Sequence, residues 1–227
     1  MSISLTIDPT YALSPSELVF LNGELFAGKA MLGNMQLLHT DTSVSVSQLG
    51  LTVLCTAFLA NEKIGALRMN TYQKKALLGL RKVTGLMAIP GDSAANWPMG
   101  CPEAELLALT QRRYASGAST DVTDLIYAWL REDTSDPWKS VFDILQSAMA
   151  DRGLLNRDQE KKLKIFTVTH YSLPDETIAL AGKETIKPIQ QTISACERER
   201  GEIWNLLTKQ IKKAISARTE QDDTDFD

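Results

Sequence analysis

One stretch, Val44 to Ala60, restricts the folds open to this 227-residue chain. Leu49, Leu51, Val53, Leu54, Ala57, Phe58 and Leu59 fall on most sides of a helix, not on a single stripe. A helix that is apolar nearly all round belongs in the interior. Other elements of the chain must therefore wrap it. Its apolar-rich part, Leu49 to Ala60, is interrupted by Thr52 and Thr56 and is too short to span a bilayer, which takes about 20 apolar residues. Asn61-Glu62-Lys63 ends it.

The wrapping elements carry their own start signals. Ser14 can cap a helix, Pro15 suits its first turn, and Glu17 completes a capping box. Leu18, Val19, Leu21 and Leu25 extend that helix to about Phe26. Met31, Met35, Leu37 and Leu38 predict a helical turn or two within the polar stretch Gly28 to Ser43. Pro102-Glu103-Ala104-Glu105 opens a helix whose apolar side is Leu106, Leu107 and Leu109. In its first turn the acidic pair Glu103/Glu105 offsets the helix dipole. Asp121 caps a helix bearing Val122, Leu125, Ile126, Trp129 and Leu130. Asp136-Pro137 starts another, with Trp138, Val141, Phe142, Leu145, Met149 and Leu154 on one face. Asp175 to Cys196 reads as a helix interrupted at Pro188, and Gly201 to Arg218 as the last one. Two β-favouring pieces, Ile64 to Met69 and Gly85 to Ile89, flank a basic segment and suggest a two-stranded wing after the central helix. The fold class is mainly α: one helical domain over residues 13–218 with a short β-hairpin or wing and a second, protruding amphipathic hairpin. Residues 1–12 are an extension, and the acidic residues 219–227 are expected to be a disordered tail.

That second hairpin lies in Asp151 to Leu173. Gly153 ends the preceding helix, because glycine accepts the left-handed conformation of a C-terminal cap. Lys161, Lys162 and Lys164 are then woven through Leu163, Ile165 and Phe166, and Thr167-Val168-Thr169 favours a strand. From Arg152 to His170 five cations (Arg152, Arg157, Lys161, Lys162, Lys164) stand against Asp158 and Glu160, a local charge of +3 in a chain of net charge −4. Each cation near an anionic leaflet contributes about 1 kcal/mol. A fully buried apolar side chain contributes about 1.5–3 kcal/mol. The other use of the same pattern is a hairpin packed on the core with its lysines solvated.

Other chemistry has little to stand on. His39 and His170 have no Cys, Asp or Glu at metal-ligand spacing. There is no GxSxG elbow, no GxxxxGK[ST] and no GxGxxG, so neither an enzyme nor a cofactor is expected. Cys55, Cys101 and Cys196 are odd in number and far apart, which suits buried, reduced thiols. The N-terminus shows no basic region followed by an apolar core, so the expected location is cytoplasmic, with peripheral membrane contact open. Trp129, Trp138 and Trp204 sit on apolar helix faces. Trp97, beside Pro98 in a loop, has the more open role.

Several segments in order resemble the Golgi phosphoprotein 3 family of peripheral membrane proteins. They are LSPSELVFL (Leu13 to Leu21), the apolar helix ending LANEKI (Leu59 to Ile64), GLMAIPGD with the later helix CPEAELLAL, and ADRGLLNRDQEKKLKIFTVTHYSLPDE (Ala150 to Glu176). The likeness spans roughly residues 13 to 195. It implies a mainly helical fold with a protruding amphipathic hairpin. It also implies binding of phosphatidylinositol 4-phosphate in a pocket of one tryptophan and several arginines. Those pocket positions fall near Thr42, Leu51, Lys139 and Phe142, and only Lys139 keeps a positive charge, so the pocket is degraded. The leading expectation is therefore a lipid-surface or membrane module contacting anionic headgroups. Its candidate residues are Lys139, Arg152, Arg157, Lys161, Lys162, Leu163, Lys164, Ile165 and Phe166. The alternatives are a soluble module for a protein partner and a winged-helix nucleic-acid binder using Lys74, Lys75, Arg81 and Lys82. The last is disfavoured because the helix before the wing is too apolar to read a groove.

Overall fold

The computed structural model describes residues 13–76, 81–162, 166–182 and 186–219, with backbone alone at 74–76, 81, 161–162 and 166–167. The described chain is mainly helical, with three separate two-stranded antiparallel sheets. The Val46–Lys63 helix (α2) sits at the centre. Leu49, Val53, Leu54, Ala57 and Phe58 on it are fully buried. Around it pack α1 (Pro15–Leu21), α3 (Pro102–Ala115), α5 (Pro137–Asp151), α7 (Lys187–Glu199) and α8 (Gly201–Ser216). The remaining helices are α4 (Val122–Leu130), which leans on α8, and the short α6 (Asp175–Leu180).

Residue spacing explains which faces turn inward. Val141, Phe142, Leu145 and Met149 recur at helical intervals on α5 and are all buried, with Phe142 stacked 5.7 Å from Phe20 of α1. Leu207, Ile211, Ala214 and Ile215 do the same on α8. Gly50 allows α5 close to α2: a Cβ there would lie 3.0 Å from the Trp138 ring.

The β elements run as hairpins. β1 (Asn34–Gln36) pairs with β2 (Ser43–Ser45) just before α2. β3 (Leu67–Ala76) and β4 (Arg81–Pro90) form a ten-rung ribbon from Leu67↔Pro90 to Ala76↔Arg81. The Tyr72 hydroxyl on this ribbon donates to Asp121, the residue that also caps α4 by accepting from the Thr123 amide. β5 (Asn156–Lys162) pairs with β6 (Phe166–Ser172) from Asn156↔Ser172 to Lys162↔Phe166.

The structure corrects four boundaries. The first helix stops at Leu21 and passes through a 3-10 turn at Gly23–Leu25 instead of continuing to Phe26. No helix forms around Met31 to Leu38. Gly33 takes φ +71, which a helix cannot continue through, and the chain enters β1 with Met31 and Leu32 exposed. The basic segment after Met69 extends the ribbon's two strands, so they are longer than expected. Pro188 lies in the first turn of α7 and starts a helix; α6 has already ended at Leu180. Proline fits there because a first-turn amide has no helical partner to lose. By contrast, Gly153 stops α5 as expected, at φ +76. No helix of the described residues is long and apolar enough to cross a membrane.

Where β4 leaves the ribbon, the Gly91 amide donates to the Ala66 carbonyl at 2.8 Å, and a Cβ on Gly91 would lie 2.0 Å from the Gly65 carbonyl oxygen. Backbone cannot yield as a side-chain tip can. Gly91→Ala is expected to lower stability by about 1–3 kcal/mol, read as a lower urea midpoint with an unchanged slope.

Candidate functional site

The structure divides the nine candidate contact residues among several places. Lys139 is exposed in the first turn of α5, where its amide is capped by Asp136. The hairpin leaves from the other end of that helix, about 20 Å away at 1.5 Å per residue. Lys139 is thus not gathered with the others. Phe142, one turn further on, is core and contacts Phe20.

Arg152 is a correction. It is not a surface cation: its side chain is 2% exposed, and its Nη2 meets the fully buried Glu17 carboxylate. A buried charge persists only when paired. The partner is 135 residues away in sequence, so nothing local to Arg152 announces it.

Arg157 is also committed elsewhere. Its Nη2 donates to the Ser147 carbonyl at 2.9 Å and the Ser147 hydroxyl at 2.8 Å, and lies 3.1 Å from Asp151. The guanidinium sits over the Tyr171 ring. Arg157 therefore fastens the base of the β5–β6 hairpin to α5. Tyr171 and Leu173 add apolar contacts to the core at the same base.

Beyond that base the hairpin stands clear. Asn156 to Glu160 are all exposed, as are Thr169 and His170, so both ribbon faces meet solvent there. β5 and β6 pack chiefly on each other. Lys161, Lys162 and Phe166 occupy the last rungs, at Lys161↔Thr167 and Lys162↔Phe166. Leu163, Lys164 and Ile165 lie outside the described residues.

A buried polar cluster lies under the hairpin's base. Glu17 is the third residue of α1 and completes the capping box: its Oε2 accepts from the Ser14 amide at 2.8 Å. Glu103, near the start of α3, is fully buried, and its Oε1 accepts from the Ser16 amide at 2.7 Å. It therefore does more than offset its own helix dipole, because it satisfies a free N-terminal amide of α1. Its Oε2 has no hydrogen-bond partner among the described residues. Burial raises the Glu17 carboxyl to about 7 against the pull of Arg152, and burial raises Glu103 as well. Two buried acids close together, only one of them paired with a guanidinium, can hold a proton. The cluster joins three helices, and the residues around it are packed interior.

A separate cleft of about 360 Å³ opens between α1, α2 and α7, walled by Leu18, Leu59, Trp97, Ile189 and Ile193. The Trp97 Nε1 donates to the Asn61 side chain at 2.8 Å, which holds the indole as part of the wall. Thr56 and Lys63 of α2 complete the lining. Sequence reasoning marked Trp97 as unassigned but missed the cleft, because its walls come from segments more than a hundred residues apart. The three cysteines are free thiols and buried. His39 lies between β1 and β2, and His170 stands on β6 opposite Asp158.

No family model, curated protein or solved structure matches the chain.

The cluster has a pH signature. Glu17 has a folded value of about 7 against 4.5 when free, so the folded state holds a proton that the unfolded state has released between those values. Its contribution is full below 4.5 and is lost as pH rises through 7, at up to about 1.4 kcal/mol per pH unit. Urea unfolding at several pH values is expected to show stability falling over that window, and Glu17→Gln is expected to flatten the fall. Arg152→Met leaves Glu17 without its cation and is expected to cost about 3–5 kcal/mol at neutral pH, and less in acid.

Proposed function

We propose that the chain is a peripheral module that meets an anionic lipid surface with the far end of its β5–β6 hairpin. The observation that carries this reading is the hairpin's exposure on both faces above an anchored base. A ribbon used only to finish the core would turn one face inward. Lys161, Lys162 and Phe166 occupy its last rungs, and the intervening sequence adds one lysine and two apolar residues. Cations for headgroups beside apolar groups for the acyl boundary are what interfacial binding uses. The resemblance to Golgi phosphoprotein 3 proteins points the same way.

The β3–β4 ribbon supports an anionic partner as well. Its register sets Lys75 opposite Lys82, with Lys74 and Arg81 on the flanking rungs. Like charges directly opposed weaken a ribbon, and a negative surface relieves that repulsion. A nucleic-acid reading lacks a groove-reading helix, since α2, which precedes this ribbon, is enclosed by the core. The degraded pocket positions argue for general attraction to negative charge over recognition of one phosphoinositide.

Co-sedimentation with phosphatidylcholine–phosphatidylserine vesicles tests the proposal. The intact chain is expected to pellet at low salt and to be released by high salt. Removing two cations with Lys161→Ala/Lys162→Ala is expected to cost about 2 kcal/mol, roughly thirtyfold in partition. Phe166→Asp is expected to abolish the residual binding. If wild type and variants alike stay in the supernatant, the lipid reading is wrong and the hairpin is left to a protein partner.

A further inference from the structure

We propose that the cleft between α1, α2 and α7 binds a small apolar carboxylic acid that carries a second, neutral hydrogen-bonding group at its far end. The α2 wall sets the ligand's polarity. Thr56, Leu59, Ala60 and Lys63 line the cleft at positions i, i+3, i+4 and i+7, so they share one face of the helix. Lys63 lies about 10 Å beyond Thr56 along the axis.

The two ends differ. Thr56 is 3% exposed, and its Oγ1 has no hydrogen-bond partner among the described residues. A buried hydroxyl without a partner is unfavourable, and a ligand atom that donates or accepts would satisfy it. Lys63 is exposed, and its Nζ donates to the Thr192 hydroxyl at 3.0 Å. Among the described residues no carboxylate pairs with it. The nearest acid in sequence, Glu62, is occupied by Arg200 at 2.6 and 2.9 Å. Between these ends the surface is Leu18, Leu59, Ala60, Ile189 and Ile193, with Trp97 beside them.

One ammonium suits a carboxylate, whereas a phosphate dianion is commonly held by several cations or by bidentate arginine; the Thr192 hydroxyl beside the ammonium already donates to the Pro188 carbonyl at 2.7 Å. The volume of about 360 Å³ lies within the range of small-ligand sites, which begins at about 300 Å³. The cleft is built from α1, α2 and α7 and does not involve β5 or β6, so acid binding and vesicle binding can fail independently.

Calorimetric titration of the full chain with ω-hydroxydecanoate, decanoate and decanol tests the site. ω-Hydroxydecanoate is expected to saturate one site and to bind more tightly than decanoate, with decanol weakest. Lys63→Met is expected to weaken both acids roughly tenfold or more and to erase their advantage over the alcohol. Thr56→Val keeps the side-chain shape and is expected to bring ω-hydroxydecanoate down to decanoate while leaving decanoate unchanged. Absence of saturable binding by either acid overturns the proposal, as do affinities that Lys63→Met leaves unchanged or a hydroxyl preference that survives Thr56→Val. A dimer seen by sedimentation and broken by Ile193→Glu, with no ligand heat, would assign the cleft to a second copy and overturn it too.

Discussion

The buried contact between Glu17 and Arg152 is the constraint around which the helices are assembled. Burying a carboxylate and a guanidinium costs several kcal/mol per ion, and mutual attraction alone seldom returns it. Here two further sources help. The N-termini of α1 and α3 converge on the same point, each carrying partial positive charge from unpaired amides. Glu17 and Glu103 accept from two of those amides, those of Ser14 and Ser16. Each acid thus satisfies a helix end, and Glu103 does so across 87 residues of sequence. The geometry fixes α1 against α3 and against the end of α5 together. Asn61 extends the tie to α2, donating to the Ala57 and Glu103 carbonyls at 3.0 Å.

This junction also explains why a hairpin can stand away from the body. β5 begins four residues after Arg152, at Asn156, so the ribbon springs from beside the buried Glu17–Arg152 contact. Arg157 then holds the first rungs to α5 through Ser147 and Asp151. A rigid foundation lets the remaining rungs do without core contacts. β3–β4 follows the same plan at the end of α2: the turn at Gly65 and the close approach of Gly91 lock its base, and its basic residues sit toward the far rungs. In a chain of net charge −4, both ribbons thus carry clustered cationic residues on their far rungs, while Glu17 and Glu103 are turned to helix-end amides. The proposed contact with an anionic surface rests on that separation.

Some of the site was legible without coordinates and some was not, for identifiable reasons. The capping box at Ser14–Glu17, the stop at Gly153 and the strand after Phe166 depend on residues within a few positions of each other, and they appear where local rules put them. Arg152 did not. By composition it belonged with the basic hairpin, and only its distant acid shows it to be interior. Glu103 misled in the same way, since a first-turn acid is ordinarily a solvated one. Met31 to Leu38 had enough apolar residues for a helix, yet Gly33 and the pairing of β1 with β2 prevailed. Pro188 signalled a break correctly but on the wrong side, because proline marks a helix start as readily as an interruption.

What the amino-acid order determined alone was the central helix, the amphipathic faces of α5 and α8, and the caps. Each follows from spacing within one element. Tertiary structure alone decided which charges are interior, which cation fastens the hairpin's base, and where Thr56, Trp97 and Ile193 meet to form a cleft. Those outcomes depend on partners in other elements of the fold. A charged side chain reads the same in sequence whether it faces water or a buried counter-ion. Only the packed helices set its surroundings.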